Sequence, residues 1–99
     1  MSSIIYTVTV IDDSDEELPP YQRVVGVFTK VELAHRAVAN DEQDISESGN
    51  NRYAVIEKTS LDTILPEPQY RMWLEWQNGE YVGIGEPEKF SKVVSFGIN

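Results

Sequence analysis

The sequence predicts an α+β fold: a mostly antiparallel sheet of five to six strands with one helix, in the order β-β-α-β-β-β-β. Three observations lead there. A β-branched run lies near the start of the chain, an amphipathic segment of about three helical turns follows a second apolar stretch, and an Asn-Gly pair separates two alternating segments in the last third. Residues 1–99 read as one small domain. A chain of 99 residues buries roughly two-thirds of the surface its unfolded form exposes, and a 40% hydrophobic content with 10% aromatics supplies a core.

Ile4 to Ile11 is β-branched almost throughout, with apolar residues on both faces, as a central strand requires. Asp12 to Glu17 ends it, because clustered like charges need solvent, and Pro19-Pro20 stiffens the connection to a second strand from about Tyr21 to Phe28. Thr29-Lys30-Val31-Glu32 has the spacing of a capping box, with Phe28 and Leu33 as its hydrophobic staple. Val31, Leu33, Ala34, Ala37 and Val38 then share one arc of a helix ending near Asn40. Asp41 to Asn51 reads as a mobile polar loop, and Arg52 to Ser60 as a third strand with Ala54 and Ile56 opposing Tyr53 and Val55. Two prolines within Leu61 to Pro68 argue against regular pairing there. Tyr70–Gln77, Asn78-Gly79 and Glu80–Gly85 form a hairpin whose two-residue type I′ turn sets Trp76 opposite Tyr81, Leu74 opposite Gly83 and Trp73 opposite Ile84. Pro87-Glu88 breaks the chain direction, and Lys92 to Ile98 is expected as a last strand with Val94, Phe96 and Ile98 in phase.

Seventeen acidic against eight basic residues give a formal charge of −9. That field repels phosphate backbones and anionic lipid surfaces, so direct nucleic-acid binding and membrane association are disfavoured, while partners with basic patches are steered in. Solubility alone, or a salt-rich habitat, accounts equally for an acidic surface. Without cysteine there is no disulfide or thiolate chemistry, and no segment has the look of a signal peptide or a membrane span, so a cytoplasmic setting is expected.

Catalytic patterns are absent from the sequence, and no cofactor or metal is expected. His35 is the sole histidine and lies at the margin of the helical arc, too little for a zinc set or a nucleophile–base pairing. Asp13-Ser14-Asp15-Glu16-Glu17 lacks the central glycine of a calcium loop. Gly83-Ile84-Gly85-Glu86-Pro87-Glu88 starts like a dinucleotide fingerprint, then loses its third glycine and meets two acids. Its glycines are better explained by space left for Leu74 and Met72. Glu75 is either semi-buried opposite Val82 or an outward residue beside Arg71.

Two contact surfaces remain. The first comprises Asp12, Asp13, Asp15, Glu16 and Glu17 with Asp41, Glu42, Asp44 and Glu47, nine of the 17 acids. Converging in space, their carboxylates would imitate a row of phosphates and occupy a basic protein surface. The second is the hairpin face bearing Trp73, Val82 and Ile84, ringed by Arg71, Glu75, Glu80 and Glu86; an apolar centre with a charged rim is the anatomy of a binding hot spot. Burial of that face under the terminal segment is the alternative.

Val24-Val25-Gly26-Val27-Phe28-Thr29, followed by Glu32, Ala34 and Ala37, resembles a segment of short uncharacterised bacterial and phage proteins that run strand, G-x-F-[ST], Ala-rich helix, strand. The hairpin ending in Tyr81 and a hydrophobic C-terminal strand are similar to those of small phage open reading frames. The resemblance spans about half of the chain and implies no site residue. What it implies is an inhibitor of host defence or of nucleic-acid enzymes. The resulting expectation is a non-enzymatic acidic interaction protein, an inhibitor or regulator binding a basic surface. The alternatives are a small-ligand or nucleotide-binding domain with a pocket near His35, Tyr53 or Tyr81, and a structural subunit forming a homodimer through the hairpin face.

Overall fold

In the computed structural model, which describes residues 4–61, 68–93 and 95–96, the chain runs β1 (Ile4–Asp12), β2 (Tyr21–Phe28), α1 (Val31–Ala39), β3 (Tyr53–Ser60), β4 (Tyr70–Gln77) and β5 (Glu80–Ile84). The five strands form one antiparallel sheet in the order β2-β1-β3-β4-β5. The fold class is α+β, as the sequence predicts. β1 is internal, which is why its residues from Thr7 to Ile11 are buried on both faces. Its partner β2 is an edge, and the pairing slips at Val25: Val8 lies opposite Gly26 while Thr9 lies opposite Val24. That extra residue is a β-bulge.

The hairpin follows its turn chemistry. Asn78 at φ 52° and Gly79 at φ 87° occupy the two left-handed positions of the type I′ turn, and the register Trp76–Tyr81, Leu74–Gly83, Trp73–Ile84 is the expected one. A Cβ built at Gly83 would meet Met72 Cε at 3.5 Å, an ordinary contact, so Gly83 leaves Met72 its room without being sterically obligatory.

Helix α1 starts one residue later than the capping box requires. Lys30 is the N-cap, no side chain caps the helix, and the Lys30 carbonyl accepts from the Leu33 and Ala34 amides. Thr29 therefore stands outside the helix, so the amide at the third helical position is that of Leu33 and the reciprocal Thr29–Glu32 bonds do not form. Leu33, the intended staple, is 38% exposed. The helix is held by packing instead, with Ala34, Ala37 and Val38 buried against the sheet. Val8, Val10, Ala34, Val38, Ala54, Ile56, Leu74 and Tyr81 make that core, and each fully buried aliphatic side chain contributes about 1.5–3 kcal/mol.

The opposite face is covered by the chain itself. After β5 the backbone crosses Ile11, Tyr53, Val55 and Trp73 as a strap, residues 85–93 and 95–96, with a single 3-10 turn at Glu88–Phe90. Lys92, Val93, Ser95 and Phe96 are not in a strand, contrary to the expected Lys92–Ile98 strand; Val94 and residues 97–98 lie outside the described residues, as does most of the Leu61–Pro68 segment. The strap's Phe90 stacks on Trp73 at 5.1 Å, while Phe96 and Tyr53 meet the same indole edge-on. Such packing follows side-chain size rather than strand alternation, which is why the strap needs no ladder.

A buried ion pair helps to fasten it. Glu57 and Arg71 face each other across β3 and β4, the carboxylate only 1% exposed and the guanidinium 15%. Glu57 accepts from Arg71 Nε at 3.0 Å and from the Phe96 amide at 3.0 Å, and Arg71 Nη1 donates to the Val93 carbonyl at 2.9 Å and to Glu86. A buried carboxylate is tolerated when charge and hydrogen bonds surround it in this way. Three buried polar atoms on the strap face, Thr7 Oγ1, Thr9 Oγ1 and Trp73 Nε1, have no hydrogen-bond partner among the described residues.

Candidate acidic interface

Strand register determines where the two acidic loops emerge. Asp12 pairs with Tyr21 at the end of β1 and start of β2, Ile11 pairs with Tyr53 at the start of β3, and Tyr53 pairs with Glu75 near the end of β4. The connection after Asp12, the 41–52 segment and the Asn78-Gly79 turn therefore leave the sheet at one end. Helix α1 also finishes there, and the negative end of its dipole adds to the field of the carboxylates.

The first loop is organised by its own side chains. Asp12 Oδ1 accepts from the Ser14 amide at 2.9 Å and from its hydroxyl at 2.6 Å, and Asp15 Oδ1 accepts from the Glu17 amide at 3.0 Å. The Ser14 hydroxyl, then its amide, hold Asp12 below the usual carboxylate range. Asp13 turns to the strap side, where Lys89 and Arg52 meet it, the latter at 4.0 Å. That contact raises the Lys89 pKa, chiefly through the hydrogen bond to Asp13. Asp15, Glu16 and Glu17 remain exposed.

The 41–51 segment, expected from its composition to be a polar loop, is a chain of turns held by carboxylates. Asp41 accepts from the Ser46 amide and hydroxyl, both at 2.9 Å, Asp44 accepts from the Ser48 amide, and Asn51 Nδ2 donates to the Ile45 carbonyl at 2.7 Å. Asp41, Gln43, Asp44, Glu47 and Ser48 all take the left-handed conformation, which those internal bonds sustain. Ser46 and Asn51 are consequently buried. Tyr81 donates to the Asn51 carbonyl at 2.6 Å, tying the segment to β5. Burial first, then the charges of Asp41, Asp44 and Glu47, push the Tyr81 phenol well above its ordinary value.

Glu42, Asp44 and Glu47 face solvent, and Glu47 reaches Arg23 of β2 at 3.1 Å. Arg23 sits opposite Val10, hence on the helix side, so the two loops flank one sheet end from opposite faces. Three cations at this end are engaged, Arg23 with Glu47, Lys89 with Asp13, and Arg52 with Asp13 and, at 2.9 Å, Glu75, while Arg36 in the last turn of α1 is exposed. Glu75 is thus the semi-buried residue opposite Val82, with Arg52 rather than Arg71 as its cation. Hydrogen bonds from Gln77, then Arg52, lower its pKa against the opposing effect of burial.

The hairpin surface takes the alternative outcome. Trp73 is 2% exposed beneath Phe90 and Phe96, Ile84 is half-buried against the same cluster, and Val82 alone is exposed, at 37%. A lone valine is not a hot spot, because the energy of such a surface comes from its central aromatic. The pocket expected near His35, Tyr53 or Tyr81 is not a shared space either: Tyr53 belongs to the strap-side core and Tyr81 to the helix-side core, as their strand positions dictate. Among the described residues, no three His, Asp or Glu side chains gather as a metal would require. No helix is long and apolar enough to cross a membrane. Sequence reading missed Glu57; its signal was a glutamate opposite an arginine, visible only once β3 and β4 are in register.

Comparison with protein-family models, with curated proteins and with solved structures returns no match to this chain.

Proposed function

We propose that this chain is a non-enzymatic interaction protein, an inhibitor or regulator that presents its acidic end to a basic protein surface in place of nucleic-acid phosphates. The observation that supports it is the common origin of both acidic loops at one end of the sheet, where Arg23, Arg52 and Lys89 are already paired. Exposed carboxylates at Asp15, Glu16, Glu17, Glu42 and Glu47, backed by the helix C-terminus, give that end a directional field. Such a field raises encounter rates with a basic partner and is weakened by salt, since the screening length is about 10 Å at 0.1 M.

The test is competition with duplex DNA for basic DNA-binding proteins, followed across salt concentration. The expected result is displacement of DNA that weakens as salt rises. Glu16→Lys, Glu17→Lys and Glu42→Lys together should reduce it about tenfold or more, whereas Glu32→Lys, in the first turn of α1, should do much less, charge for charge. Equal losses from both ends, or no displacement at any salt, would count against the reading.

A further inference from the structure

The free edge of β2 borders a groove whose two walls differ in chemistry. β2 ends the strand order, and among the described residues no other backbone pairs with its outer side. On the strap side of the sheet its Val24 and Val27 stand 38% and 59% exposed. On the helix side the edge faces the second acidic loop across a cleft of about 770 Å³, with Arg23 and Val25 on one wall and Glu42, Asp44 and Glu47 on the other. Arg23 already spans that cleft to Glu47, with about half of each side chain exposed, so the acidic wall accepts a guanidinium arriving from a strand at this position.

We propose that this edge receives an extended basic segment of the partner protein as an added strand. Alternate residues of the segment point to opposite faces. Basic side chains on one face meet Glu42, Asp44 and Glu47, and an apolar side chain on the other lies beside Val24. Main-chain hydrogen bonds supply affinity in this mode and the alternating side chains supply selectivity. The bulge at Val25 limits the uninterrupted ladder to the Tyr21–Val24 side of it, so the paired segment is short, about four residues. The same bulge, with a charge of −9 on each molecule, disfavours pairing with a second copy. This inference rests on the proposed reading and adds the form of the partner to it.

The probe is a blocked eight-residue peptide alternating arginine and valine, titrated into the isotope-labelled full chain. The expected result is that the largest amide shifts fall within residues 21–28, with new protection from hydrogen exchange there. N-methylation of alternate peptide amides, in the phase facing β2, should weaken binding at least about tenfold, because it removes the ladder. Glu42→Gln with Glu47→Gln should weaken it by about the same factor while the spectrum stays folded. Binding that centres on residues 13–17 and ignores N-methylation would overturn the strand-addition inference and leave the acidic reading standing. No binding of any arginine-containing peptide would overturn both. A concentration-dependent dimer with protected β2 amides in the absence of peptide would assign the edge to a second copy and overturn the inference alone.

Discussion

The two faces of the sheet are covered by opposite means. On one, an amphipathic helix contributes small aliphatic residues at helical spacing, and its middle backbone groups bond within it. On the other, a strap with no strand and one 3-10 turn places two phenylalanines on an indole, and fixes its backbone with a buried Glu57–Arg71 pair. The difference teaches that irregular backbone needs anchors. A helix arrives with its middle polar groups paired, whereas a strap must borrow donors and acceptors from the face it covers.

The comparison is broken most severely at the strap's centre. Trp73→Ala should cost about 3–5 kcal/mol, through lost burial and the cavity left among Phe90, Phe96 and Tyr53. Leu74→Ala, one residue along and on the helix side, should cost about 2–5 kcal/mol. Urea midpoints read both losses. If the faces are independent, the two losses should add in the double variant within about 0.5 kcal/mol.

Glu57→Ala should cost about 3–5 kcal/mol, because it leaves the Arg71 cation with a poorer set of partners in a half-dry site. Replacing Glu57 and Arg71 together by methionine should cost less than the single change, since no uncompensated charge is left behind. A double variant worse than the single, by the same measurement, would show that the pair does more than anchor the strap.

Smaller still is an alkaline effect confined to the helix side. Tyr81 ionises with more difficulty in the folded protein than at its ordinary value of 10.0, mainly because it is buried. Its contribution is therefore intact below pH 10 and is lost as pH rises further, because the unfolded chain then releases the proton more readily. Tyr81→Phe should flatten the fall in stability measured between about pH 10 and 12. A parallel fall in both proteins would locate the alkaline sensitivity elsewhere.

The smallest effect is expected at Thr29. A working capping box would lose about 0.5–2 kcal/mol on Thr29→Ala. With Lys30 as N-cap and no side-chain cap bond, the change should be within about 0.5 kcal/mol of zero.

What was legible in the sequence follows the same division. Period-two alternation and Asn78-Gly79 gave the hairpin with its register, because a two-residue turn leaves no freedom in pairing. The helix was legible as an arc, but its first residue was not, because the box pattern points to Thr29 whereas the helix starts after Lys30, held by packing of Ala34, Ala37 and Val38. Lys92–Ile98 reads as a strand because Val94, Phe96 and Ile98 are in phase; nothing local announces that Phe90 and Phe96 both turn onto Trp73. The role of Glu57 is not legible locally, because its partner Arg71 lies on β4, beyond a connection too long to fix register. At the acidic end, charge was legible and order was not: Asp41 and Asp44 hold loop amides as well as contributing to the field, a use that composition alone does not reveal.

The order in which the faces are closed has a consequence during synthesis. Among the described residues, the five strands and the helix precede the strap in the chain, so the sheet can assemble while Trp73, Tyr53 and Val55 still lack Phe90 and Phe96. For that interval the nascent protein carries a sticky aromatic plate, and its resistance to misassembly depends on how quickly the last dozen described residues emerge and fold back.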